Sequence, residues 1–193
     1  TTTASTLSGT NNKILTLGAM SPDNDNNQTV KVKITAGGNN DYNAKSVQAT
    51  ITVQKYTATI AFDSSTPTTV TYGDNSKKVT VTATVAGGTA GAITYSSGNT
   101  SAITINSTTG ALTVVNGNSK SSVITATLAR TTTVKAGTKT TTITTKKATN
   151  PIKVSNITVY AGSTGNNLST KVSNAQGTVT YTKVEDGTVS ADS

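Results

Sequence analysis

The chain has 193 residues, enough for one or two small domains, with 33% hydrophobic and 12% charged residues. It contains no Cys and no His, which excludes a disulfide framework, thiolate metal sites, and every catalytic scheme that needs an imidazole. Sixteen Lys and Arg against eight Asp and Glu give a formal charge of +8, yet the cations lie scattered from Lys13 to Lys183, with only Lys77-Lys78 and Lys146-Lys147 adjacent. Specific nucleic-acid sites concentrate Arg and aromatic platforms, so no specific nucleic acid is expected as a partner; scattered Lys protects strand edges. A weak attraction to an acidic glycan or cell-wall polymer stays open on charge alone.

In chain order, the first feature is Asp23-Asn24-Asp25-Asn26-Asn27, after Pro22. Its D-x-D-x-N alternation brings alternate oxygens together as calcium loops do, making Asp23, Asp25 and Asn27 a candidate calcium site. It lacks the later Gly and bidentate Glu of an EF-hand, and the competing reading is a plain polar turn.

Val30-Lys31-Val32-Lys33-Ile34 follows with apolar residues at every second position, the period of a strand with one buried and one wet face. The same alternation recurs in Val79 to Val85 and in Ile124 to Leu128. Gly37-Gly38, Gly87-Gly88, Asn116-Gly117 and Asn166-Asn167 punctuate the runs as turns. No stretch of about 18 apolar residues could form a membrane-spanning helix, and no signal-peptide pattern opens the chain, so a mature or excised segment is expected. The fold class predicted is all-β. The Thr-rich runs such as Thr140-Thr141-Thr142 supply wet-face strand residues rather than an ice-binding lattice.

Internal repetition organises the chain. Thr69 to Gly98 aligns with Ile157 to Gly187, matching Tyr72 with Tyr160 and Tyr95 with Tyr181. Ile14 to Gly38 aligns with Ala111 to Arg130, each followed by a similar stretch, TITVQKYT from Thr50 and TITTKKAT from Thr142. The period is about 90 residues, near the roughly 100 of an immunoglobulin-like β-sandwich. The phase divides the chain into the second half of a repeat (1–55), a complete repeat (56–147) and the first half of another (148–193).

Within the complete repeat, Tyr95-Ser96-Ser97, Ser101 to Ile105, Gly110, Leu112 to Val114 and Ile124 to Leu128 follow one another in order. This succession resembles the group 2 bacterial immunoglobulin-like domains of intimin- and invasin-type adhesins, cell-surface proteins and phage proteins. Asp41-Tyr42-Asn43-Ala44 ahead of the TITVQK stretch is similar to tandem repeats of large Gram-positive surface proteins. The chain departs from the family at Tyr95, where Trp is usual, and at Ser121 to Thr125, where a G-T-A-T-I stretch is usual. The resemblance implies tandem immunoglobulin-like β-sandwiches, with Tyr95, Tyr181, Ile103, Ile105, Val114 and Ile124 in their cores. It also implies an extracellular location on a bacterial cell or virion surface.

The expected function is a non-catalytic structural repeat of a surface fibre, stalk or adhesin. Its partners would be neighbouring repeats or copies of itself, with the half-repeats paired within one chain, completed by another molecule, or cut from a longer array. The alternative is a glycan- or receptor-binding decoration module. Neither cofactor nor catalytic residue is expected: no spacing singles out a Ser-Lys dyad. Glu185-Asp186-Gly187 reads as a turn, and no acid sits at an inward strand position to promote a Lys-Asn isopeptide bond.

Overall fold

Thr and Val alternation becomes strand along most of the chain. The computed structural model describes residues 5–8, 14–18, 20, 23–160 and 162–182; Pro22 and the Glu185-Asp186-Gly187 turn lie outside them. The described regular structure is all-β apart from a 3-10 turn at Leu168–Lys171. The strands are β1 (Thr6–Ser8), β2 (Ile14–Thr16), β3 (Gln28–Ala36), β4 (Lys45–Val53), β5 (Thr59–Phe62), β6 (Thr69–Thr71) and β7 (Val81–Thr84). They continue with β8 (Ile93–Ser97), β9 (Ile103–Ile105), β10 (Leu112–Val114), β11 (Ser121–Leu128), β12 (Gly137–Lys146), β13 (Lys153–Val154) and β14 (Val172–Ser173). The chain divides into two units, Thr1–Lys147 and Ala148–Ser193.

In the first unit, β6, β12, β11 and β8 form a four-stranded sheet in that order. β11 lies antiparallel to both neighbours, while β6 runs parallel to the end of β12. Strands β5 and β7 pair with each other, as do β9 and β10, and a bridge between Lys78 and Ala111 links the two pairs. The alternation of β11 explains its seat: Ser122, Ile124, Ala126 and Leu128 point inward, and the residues between them point out. Ile124 and Ile143 from the large sheet meet Val79, Ile103, Leu112 and Val114 from the facing pairs. Phe62, Val81, Tyr95 and Ile105 pack around this core. Each fully buried aliphatic side chain contributes about 1.5–3 kcal/mol, which is what holds short strands together.

The buried hydroxyls are paired, as a low-dielectric interior requires. Ser97 and Ser122 share a 2.7 Å hydrogen bond, and Ser122 also accepts from the Asn99 amide at 3.0 Å. Thr145 accepts from the Lys120 amide at 3.0 Å. At the turn from β9 to β10, Gly110 has φ +72, and a Cβ there would collide with the Val79 carbonyl oxygen. No other residue type fits this turn without moving the Val79 backbone.

The remaining strands of the first unit are sparser. β1 pairs with β2, and β3 with β4, the latter as a long ribbon of two nine-residue strands. Val30, Val32 and Ile34 face Ile51, Ala49 and Val47 across this ribbon, which gives it one apolar face. Ile34 is 57% and Val47 53% exposed, so the far half of that face is uncovered within the first unit. The second unit holds only the short pair β13 and β14 as described sheet, with the 3-10 turn capped by Asn167, whose side chain accepts from the Ser169 amide at 2.9 Å.

Candidate functional site

The loop 23–27 leads into β3, and Lys55 follows β4 by two residues. Since Gln28 pairs with Val53, the ladder sets Lys55 beside this loop. Asn24 shapes the loop, its side-chain oxygen accepting the Asn26 amide at 3.1 Å. Its backbone carbonyl accepts a 2.6 Å hydrogen bond from the Lys55 ammonium, and the Asp25 carboxylate stands 3.5 Å from the same nitrogen. The Lys55 side chain is 0% exposed and that of Asp25 28%.

The same loop reaches the segment between β11 and β12. Arg130 donates to the Asp23 backbone carbonyl and lies 3.9 Å from Asp25 Oδ2, which also accepts the Ala136 amide at 3.1 Å. Asp25 Oδ1 is buried and takes no hydrogen bond, so its compensation is the through-space attraction of Lys55. Three successive residues therefore turn oxygens toward two cationic side chains. The loop, the end of β4 and the β11–β12 connection are joined by this cluster.

The physical logic is that of a buried ion pair. An ammonium removed from water loses several kcal/mol of hydration, and only close oxygens offset it. Lys55 thus compels the 23–25 loop to stay docked. Packing reinforces the junction: Met20 is buried, and Leu17, Val53 and Tyr56 line a shallow hollow with Thr132 and Thr133. Tyr56 further exchanges backbone hydrogen bonds with this segment, its amide donating to Thr133 and its carbonyl accepting from Lys135.

The convergence expected for calcium at Asp23, Asp25 and Asn27 takes a different form. What converges is the carbonyls of Asp23 and Asn24 with the Asp25 carboxylate, and the cations are Lys55 and Arg130. Asn27 is exposed. A divalent ion here would meet two positive side chains at close range, a repulsion the loop's few oxygens would have to overcome. Among the described residues no group of three or more His, Cys, Asp or Glu is placed to hold a metal.

Of the residues expected in cores, Ile103, Val114 and Ile124 are buried, while Tyr95 and Ile105 pack partly buried against the same cluster. Tyr181 differs: it is 51% exposed. It lines an open apolar groove with Ile152, Val154, Ile157, Leu168 and Val172. The reason is the missing opposite layer. Tyr95 sits in a strand held by β11 and faced by the shorter pairs, whereas the described part of the second unit offers Tyr181 only the groove of its own unit.

Two acids outside the cluster are turn formers. Asp63 is held below the ordinary carboxyl value of 3.8 by hydrogen bonds from Ser65. Asp74 is likewise lowered, by the Ser76 hydroxyl and amide and by nearby Lys77. Both ionised groups close exposed turns that flank β6.

The sequence reading did not single out Lys55 or Arg130. The available signal was that Arg130 is the only arginine in the chain. The chain matches no family model, and it matches no curated protein.

Proposed function

We propose that the chain is a non-catalytic structural stretch of tandem immunoglobulin-like β-sandwich repeats, acting as a rigid spacer in an extracellular surface fibre, stalk or adhesin. The observation that carries this reading is the ionic cluster at Lys55. The polar loop with the most evident binding chemistry is spent on joining one repeat to the next. An array that must hold its length needs such fixed junctions, because a flexible linker between repeats shortens its mean reach.

The strand order supports the immunoglobulin-like part of the reading. With β5, β7, β8, β9, β10, β11 and β12 lettered A to G, the antiparallel set β5-β7 and β10-β9 follows the order A-B-E-D, joined by the Lys78–Ala111 bridge. In the opposite sheet β8, β11 and β12 follow C-F-G, with β6 as an eighth strand parallel to β12. That division of seven strands is the one of constant-type immunoglobulin domains. The absence of His and Cys supports the non-catalytic part.

Spin labels at Asn40→Cys in the β3–β4 turn and Thr108→Cys in the β9–β10 turn test the spacer reading. A narrow distance distribution is expected in the otherwise native chain, and a broad one when Asp25→Ala is added. A broad distribution in the native background would overturn it.

A further inference from the structure

Strand β12 pairs with β11 along nearly all its length and with β6 only from Thr144 to Lys146. On the β11 side the Thr145 amide donates to Lys120; on the β6 side the Thr144 amide donates to Thr68 and the Lys146 carbonyl accepts from Tyr72. Backbone groups alternate sides along a strand, so the amides and carbonyls of Thr138, Thr140 and Thr142 point the same way as those of Thr144 and Lys146. Among the described residues no backbone group pairs with these three threonines on that edge, and all three are exposed. Such an edge is a template for another strand.

The start of the edge carries unpaired positive charge. A hollow of about 330 Å³ opens there, lined by Ala58 and Ile60 on the β5 side and by Lys135, Gly137 and Lys139 on the other. Lys139 stands on the inward face, opposite the buried Ala126, yet is itself exposed. Neither lysine has a carboxylate within ion-pair distance among the described residues: Asp25 meets Lys55 and Arg130, and Asp74 meets Lys77. A strand added at this edge sets one of its side chains beside Lys139 on the same face, at a strand spacing of about 5 Å. An apolar side chain would strip water from the ammonium at a cost, whereas a carboxylate would pair with it.

We propose that the open edge of β12 takes an extended segment of a partner polypeptide, with acidic side chains at alternate positions that meet Lys139 and Lys135. The backbone of the segment supplies the hydrogen bonds and its acids supply the selectivity. Thr138, Thr140 and Thr142 offer amide and carbonyl at every second residue, about 7 Å apart, which is the repeat of an extended polypeptide. An acidic polysaccharide could meet the lysines but has no such ladder. A second copy of this chain does not fit the charge: no described strand contains Asp or Glu, and the long strands β3, β4 and β12 carry Lys.

Fluorescence anisotropy of a labelled synthetic peptide of alternating Thr and Glu, titrated with the full chain at low salt, tests this. Two opposite-charge contacts are expected to make it bind about tenfold tighter than an alternating Thr and Lys peptide, and Lys139→Glu is expected to remove that preference. Methylating the Thr amides of the Glu peptide blocks one of its edges, and methylating the Glu amides blocks the other. One edge alone faces β12, so one of these two forms is expected to lose about tenfold in binding and the other little. The methylated probes leave the chain native, so the result stands even where Lys139→Glu weakens folding. Equal effects of the two methylations would assign the attraction to charge alone, as for a polysaccharide, and overturn the proposal. Equal binding of the Glu and Lys peptides, or no binding of either, would overturn it as well.

Discussion

The β3–β4 and β11–β12 ribbons have the same pairing register and the same inward alternation, but one is sealed into a core and the other has half of its apolar face in water. A two-stranded ribbon cannot bury a face by itself, however well its residues alternate. The difference lies in what meets each ribbon: the strands from β5 to β10 cover β11 and β12, with Ile103, Leu112 and Val114 of β9 and β10 in the core, whereas the described residues before β3 supply only β1 and β2. Burial here is a property of both layers that meet at the core. The ribbon pattern supplies one half of it.

The contrast yields unequal mutational costs. Ile124→Ala removes a fully buried side chain from the β11 face and is expected to cost about 4 kcal/mol. Val32→Ala, at the corresponding position of β3, is expected to cost about 1 kcal/mol, since that side chain is only half-buried. Urea unfolding of both variants followed by circular dichroism checks this; similar costs would mean that the two faces are equally covered.

A second, smaller asymmetry tests the anchor that holds the open ribbon to its neighbour. Asp25→Ala strands the buried Lys55 ammonium and is expected to cost about 3 kcal/mol. Lys55→Met removes the ammonium and its dehydration together, leaves Arg130 for Asp25, and is expected to cost about 1 kcal/mol. Thermal unfolding of the two variants orders them, and the reverse order would show that the ammonium is solvated.

The smallest effect is the acid response of the turns that flank β6. The lowered Asp63 and Asp74 stabilise the fold when ionised, so their contribution is full above the unfolded value of 3.8 and is lost as pH falls through the lower folded values. Asp63→Asn and Asp74→Asn are expected to lower stability slightly at neutral pH, where the ionised groups contribute fully, and to leave the strongly acid end nearly unchanged, so that the acid limb flattens. Chemical denaturation at a series of acid pH values reads this. An unchanged acid limb in the double variant would assign it to other carboxylates.

Much of the fold was legible because threonine-valine alternation has one physical meaning, and β11 is its clearest instance: every second residue enters the core. The cover over each face was not legible, since alternation says which side chains share a face and nothing about what meets them. Tyr181 illustrates this. Its sequence context matches that of Tyr95, yet it lies in an open groove. The candidate site was half legible. The D-x-D-x-N loop announces oxygens that gather around a cation, but a local pattern cannot distinguish a metal ion from a lysine ammonium brought in by a strand ladder. Lys55 itself reads as a solvated residue at a strand end, and only the pairing of Gln28 with Val53 reveals why it is buried.

Amide hydrogen exchange on the dilute chain tests the central contrast most directly. The account predicts that amides bonded between β11 and β12 exchange only on global unfolding, while those between β3 and β4 exchange by local opening, orders of magnitude faster. Equal protection of the two ribbons in the dilute chain would contradict it.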